Sequence, residues 1–249
     1  MSWIALLLIG FGLADLGHAL RPVRHLPEGA AAVVAVLLGL LAGLTSWRDL
    51  VALLVIAALT VAWGWSVRRG FGTGRAALPL AVLVGSLVLA AATTPWAGAA
   101  GGPLGHWLRA TPLPVLHGAS TDRALLLLGG LLVQGSTGNV LVRLVLLATH
   151  TVNPARAQAR NPGPALKGGR LLGPMERLVI LGLGLAGDYT AAGIVVAAKG
   201  LLRYPELQAA RERAADHSGP PIAAVTEYFL VGSFVSWLIA LTTLVLVGR

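Results

Sequence analysis

Residues Gly173 to Lys199 read GPMERLVILGLGLAGDYTAAGIVVAAK. The run is apolar enough to enter a bilayer, yet it carries Glu176, Arg177, Asp188 and Lys199. Read as one helix at about 100° per residue, it places Arg177, Asp188 and Lys199 on a single stripe, roughly 16 Å apart along the axis. Arg177 and Lys199 then fall near opposite membrane surfaces. Asp188 falls near the middle, where a carboxylate without a partner costs a few kcal/mol or more and tends to take up a proton.

The rest of the chain has the same character. Of 249 residues, 56% are hydrophobic and 12% charged, against about 25% charged in an ordinary soluble domain. The mean hydropathy is +0.78. Apolar runs of about the length that a bilayer requires occur at Trp3 to Leu20, Gly29 to Ser46, Leu50 to Val67, Ala76 to Pro95, Ala124 to Thr149, Pro174 to Ala198 and Ile222 to Val247. Backbone polar groups must be paired inside hydrocarbon, and these runs lack period-2 alternation, so they read as helices. The expected fold class is therefore all-α, a polytopic membrane bundle of about seven spans in one integral domain, 1–249. A four-helix part covers 1–121 and a three-helix part with polar intramembrane residues covers 122–249.

The first run has no basic leader and reads as a retained span. The loops after spans one, three and five, RPVRHLPE, VRRGFGTGR and NPARAQARNPGPALKGGR, are the basic ones. The positive-inside bias puts them in the cytoplasm, with the N-terminus outside and the C-terminus inside. The segment between spans six and seven opposes this assignment, because it also carries Lys199, Arg203, Arg211 and Arg213. A re-entrant span six would return that segment to the basic side. Within it, PELQAARERAADH reads as a short surface helix starting at Pro205 and Glu206. The long loop after span four, with Trp96 and Trp107, reads as an interfacial element.

The formal charge of +9 fits basic loops against anionic headgroups, and no nucleic-acid partner is expected. A homo-oligomer or protein partner is compatible with the Gly39 and Gly43 GxxxG motif, although internal packing is the favoured reading of it. The chain has no cysteine, which removes thiol chemistry and thiolate metal sites. Its six histidines show no ligand spacing, so neither metal nor cofactor is expected. Gly182, Gly184 and Gly187 match a dinucleotide GxGxxG motif, but they lie within an apolar helix. They read as close packing or a local helix break.

In span five, Ser136, Asn139, Arg143 and His150 share one helical face, which should point into the bundle. If spans five and six are antiparallel, Arg143 comes level with Glu176 and should pair with it. Gln134, Ser136 and Thr137 come level with Asp188, and Lys199 comes level with Glu227 for a second ion pair. Asp15 and His18 of span one would join the Arg143 and Glu176 cluster.

The segment GGRLLGPMERLVILGLGLAGDYTAAGIVVAAKGLLRYPEL, followed by TEYFLVGSFVSWLIAL, resembles the C-terminal half of a bacterial membrane family catalogued as domain of unknown function 3307. The shared features are a Gly-rich lead into Glu176 and Arg177, a polar midpoint at Asp188, an exit at Lys199, and Glu227 with Tyr228 opening the last span. LADLGH, with Asp15 and His18, is a fainter likeness in the first helix. The resemblance implies a multi-pass protein of the bacterial cytoplasmic membrane and carries no activity with it.

Three function classes follow. The leading expectation is transport or translocation of a small or lipid-linked substrate, with Asp188 as the protonatable coupling group, Arg143 as the anion contact and Glu176 as its counter-ion. A non-enzymatic scaffold or complex subunit is the second. An enzyme acting on a lipid phosphate through Arg143 and Arg177 is the third.

Overall fold

In a computed structural model of the chain we describe residues 1–20, 26–111, 118–151, 169–215 and 222–248, with the side chains of 169, 170, 202–207, 209–215 and 222 excepted. The basic segments at 21–24 and 153–168 lie outside the described residues. All described elements are helical. They are α1 (Ser2–Leu20), α2 (Leu26–Leu41), α3 (Trp47–Thr73), α4 (Ala77–Thr93), α5 (Gly102–Ala110), α6 (Thr121–Leu132), α7 (Gly138–Ala148), α8 (Gly169–Leu185), α9 (Tyr189–Ala215) and α10 (Ile222–Val247). A π turn, Val133–Thr137, joins α6 to α7. Five stretches are long and apolar enough to cross a membrane: Ser2–Leu20, Trp47–Thr73, Ala77–Trp96, Thr121–Ala148 and Ala223–Val247. Leu26–Leu41 and Tyr189–Leu201 are apolar but shorter.

The chain gathers into two compact units, Met1–Val140 and Leu141–Gly248. The division falls inside α7 instead of in the loop before span five.

In the first unit α1 is the central rod, with Ala5, Leu6, Leu7, Ile9, Phe11 and Ala14 all at 0% exposure. Glycines let its neighbours come close. A Cβ on Gly12 would lie 2.5 Å from Leu132 Cβ, and one on Gly10 would lie 2.4 Å from the Thr60 hydroxyl. Gly39 of α2 likewise faces Leu53, at 2.3 Å from a built Cβ, so half of the GxxxG motif serves internal packing. Gly43 lies past the end of α2 with φ +77°, and the neighbouring Ala42 carbonyl accepts the Gly101 N–H at 2.7 Å. Contacts of Trp3 with Asp49 and of Asp15 with Trp63 advance together along α1 and α3, so these helices run parallel. Asp49 also closes the start of α3, where Ser46 Oγ donates to its carboxylate at 2.6 Å and accepts its N–H at 3.2 Å. That reciprocal arrangement satisfies otherwise orphaned helix-end groups.

In the second unit the apolar run 174–198 is two helices. α8 ends at Leu185, and Gly187 takes φ +82°. The Asp188 N–H reaches the Leu183 carbonyl at 3.0 Å and the Gly187 N–H reaches the Gly184 carbonyl at 3.1 Å. This is a Schellman stop, which a glycine permits because a left-handed φ costs it nothing. Asp188 then starts α9: its Oδ1 accepts the Ala191 N–H at 2.9 Å and its carbonyl accepts the Ala192 N–H at 3.1 Å. α9 returns against α8, bringing Lys199 beside Glu176. α9 also continues to Ala215, so PELQAARERAA extends this helix and is not a separate surface helix. Asp216 and His217 lie outside the described residues.

α10 runs parallel to α8. Arg177 meets Ser236 and Gly184 meets Leu244, offsets of 59 and 60 residues. Both meanings expected of the GLGLAG glycines are realised: Gly184 permits close packing, with a built Cβ 2.4 Å from Leu244, and Gly187 forms the break.

Replacing Gly12 by Ala should destabilise the detergent-solubilised protein by about 1–3 kcal/mol through overpacking against Leu132. Gly29, whose Cβ position has nothing within 4 Å, should accept Ala without loss. Thermal unfolding of the two variants side by side checks this, and equal midpoints would contradict the close α1–α6 packing.

Candidate functional site

Two polar clusters lie among the apolar helices, one in each unit. In the second unit, the Lys199 ammonium meets a Glu176 carboxylate oxygen at 2.5 Å, with side-chain exposures of 17% and 9%. The other Glu176 oxygen accepts the Trp237 indole N–H at 3.0 Å. Lys199 also stands 5.9 Å from the centroid of the Trp237 ring, so indole and ammonium attract through the ring face as well. One residue along α8, Arg177 is 1% exposed, and its guanidinium donates to Ser236 Oγ at 3.2 Å.

Helical register fixes the height of this cluster. Ser236 and Trp237 lie midway along Ala223–Val247, the apolar stretch of α10. Glu176, Arg177 and Lys199 are therefore gathered at mid-height of a helix able to span a membrane, and Asp188 stands some 12 residues away at the hairpin tip, about 18 Å along the axis.

This reverses the order expected from one continuous helix. Asp188 is exposed and caps a helix, so the expected midpoint carboxylate is not there. Glu176, Arg177 and Lys199, expected near the surfaces, form the central group. The expected pair of Lys199 with Glu227 is not formed: Lys199 is on Glu176, and exposed Glu227 accepts a hydrogen bond from Thr151 Oγ1 at 3.4 Å. Arg143 is exposed on α7, and both oxygens of Glu176 are engaged by Lys199 and Trp237. The physical reason for the shifts along 174–198 is the turn at Gly187, which folds the stripe back on itself.

In the first unit, Asp15 is 7% exposed. The Trp63 indole N–H donates to both of its oxygens, at 3.2 and 3.1 Å, and Thr137 faces the same carboxylate. Phe11 stacks on Trp63 with ring centroids 5.1 Å apart. The π turn lies at this contact, and Gln134, Ser136 and Thr137 within it are all buried. Ser136 Oγ donates to the Gly12 carbonyl at 2.7 Å. Ser136 and Thr137 therefore do point into the bundle, but toward α1 and not toward Asp188, and Gln134 is fully buried beside them. Asn139 is half-buried at the start of α7.

One turn beyond Asp15, Glu28 is 2% exposed and forms an ion pair with Arg68, with His18 Nε2 3.7 Å from its second oxygen. His18 Nδ1 lies 3.0 Å from the Ala14 carbonyl, and a carbonyl only accepts, so Nδ1 carries the hydrogen. Its Nε2 is then free to accept from Arg68 Nη1 at 3.4 Å. Gly64 makes room for this group, because a Cβ there would stand 2.1 Å from Glu28 Cγ. Asp15 and His18 thus belong to a cluster within the first unit, in place of the expected one with Arg143 and Glu176.

Sequence reasoning misses Glu28, Arg68, Trp63 and Trp237. Glu28 stands at the head of an apolar run, level with Arg68 in a neighbouring antiparallel run, and that pairing is legible. Tryptophan as the donor to a buried carboxylate leaves no charge pattern to find.

Removing one partner of the Glu176 and Lys199 pair leaves an apolar-surrounded charge short of a counter-ion. Lys199→Met should cost about 3 kcal/mol, and adding Glu176→Gln to it should recover at least half of the loss. Unfolding in detergent across the double-mutant cycle measures the coupling, and strictly additive losses would contradict the pair.

Comparison of the chain with family models, with curated proteins and with solved structures finds no match in any of the three.

Proposed function

We propose that the chain is a multi-pass protein of the bacterial cytoplasmic membrane that binds a small or lipid-linked anionic substrate at the Glu176, Arg177 and Lys199 cluster and carries it across or within the bilayer. The observation behind this reading is the height of that cluster. Two cations and one carboxylate at the middle of a span are costly to place in hydrocarbon, and such groups mark substrate or proton pathways by default. The coupling role expected of Asp188 passes to the Glu176 and Lys199 pair, which can be separated by a proton or by an anion competing for Lys199. The C-terminal likeness to the bacterial family of unknown function belongs with the same proposal, as do anionic headgroups as partners of the basic segments.

The hairpin also sets the proposed topology. α1, α2, α3, α4, the α6 to α7 stretch and α10 each cross once, while α8 and α9 enter and leave on the cytoplasmic side. Arg211 and Arg213, 12 and 14 residues past Lys199, then join the basic loops in the cytoplasm, in keeping with the positive-inside bias. Both termini lie outside, instead of the C-terminus inside. Because the chain has no cysteine, a single cysteine at Arg249 gives a clean reading. A membrane-impermeant maleimide should label it in spheroplasts without permeabilisation; labelling that requires lysis would mean that 174–198 crosses as one span.

A second reading has its own support: both oxygens of Glu176 are already engaged, as a purely structural lock would require. A panel of small organic anions and polyprenyl phosphates, screened for stabilisation of the purified protein, separates the two. A substrate at about 100 times its Kd adds roughly 2.7 kcal/mol, and Glu176→Gln with Lys199→Met should abolish that gain. A scaffold would show no ligand stabilisation, and the neutral double variant would keep its native assembly.

A further inference from the structure

The first unit contains a groove of about 450 Å³ away from both polar clusters, floored by α1 at Leu7 and walled by α3 and α4. Trp47, Arg48, Ala52 and Leu59 line it along α3, and Trp96 closes it at the far end of α4. The volume lies within the range of about 300–1,000 Å³ typical of ligand pockets.

Its character changes from one end to the other. Trp47 and Trp96 are 71% and 63% exposed, and they flank the same end as Arg48, in the manner of aromatic side chains at a headgroup layer. The Arg48 guanidinium stacks over the Trp47 ring at 5.5 Å, and no carboxylate pairs with it among the described residues. From Trp47 to Leu59 the wall is apolar, and 12 residues of α3 rise about 18 Å. That depth matches one leaflet of a hydrocarbon core about 30 Å thick.

We infer that this groove is a binding site for one anionic phospholipid, with an acyl chain along α3 and the phosphate on Arg48. The charge decides the class of lipid. A guanidinium resting over an indole can offer its fork of donors to phosphate oxygens, and a zwitterionic headgroup offsets the phosphate with its own cation. The apolar length selects an acyl chain over a free phosphate, which would leave the groove empty.

The experiment is native mass spectrometry of the purified protein in micelles containing equal phosphatidylglycerol and phosphatidylcholine. The wild type should retain phosphatidylglycerol over phosphatidylcholine by about tenfold, a difference of roughly 1.4 kcal/mol. Arg48→Gln, at an exposed position, should bring the ratio close to one while leaving a lipid bound. Ala52→Trp, which fills the groove, should lower retention of both lipids. An unchanged preference in Arg48→Gln would place the anionic lipid elsewhere, and undiminished retention in a folded Ala52→Trp variant would reduce the groove to ordinary lipid contact. Failure of the wild type to retain either lipid would also overturn the assignment.

Discussion

A carboxylate surrounded by apolar helices must be given a donor, because burying the bare charge costs several kcal/mol. Among the described residues that constraint is met three times by an indole. Trp3 holds Asp49 at 3.1 Å, Trp63 holds Asp15 at 3.1 and 3.2 Å, and Trp237 holds Glu176 at 3.0 Å. An indole suits this role because its body packs as a large hydrophobe while its single N–H, a donor only, cannot compete with the acid for other protons. Each pair also ties two helices together at a set height. Trp3 and Trp63 fix both ends of the α1 to α3 contact, and Trp237 fixes α10 against the α8 to α9 hairpin.

The hairpin depends on the third of these pairs. Gly187 and Asp188 turn the chain, but caps on their own contribute about 1 kcal/mol each. What makes α9 return along α8 at one register is the meeting of Lys199, Glu176 and the Trp237 ring at mid-height. The same meeting places Arg177 against Ser236 on α10. A turn made of local backbone rules and a lock made of charges thus agree, and together they create a polar centre within an apolar unit.

The sequence is most readable where apolar length decides the outcome. α1 and α10 fall where hydropathy puts them, but of Ser136, Asn139, Arg143 and His150, the face that helical phase points inward, Ser136 is buried and Asn139 half-buried while Arg143 and His150 are exposed. A π turn shifts the phase there, and depth alone assigns Gln134, Ser136 and Thr137 to Asp188 when Ser136 and Thr137 face α1. The hairpin is written locally, as a left-handed glycine followed by a capping aspartate. It is hidden because both arms are apolar and glycine is common in membrane helices. Reading 174–198 as continuous then displaces every charge on it: Asp188 moves to the middle, and Glu176 and Lys199 to opposite ends. Pairs that depend on indole donors are not legible at all, since tryptophan in an apolar run is indistinguishable from core or interface filler.

The register of α8 against α9 is the central claim, and a distance measures it. Spin labels at Leu172 and Leu201, both exposed, would flank the hairpin base, with helix axes about 8–10 Å apart. Pulsed electron paramagnetic resonance on the protein in lipid nanodiscs should then give a narrow distribution at about 20 Å or less. A continuous helix would separate the same positions by 29 residues, or about 44 Å, and a peak at that distance would contradict the hairpin and the polar centre built on it.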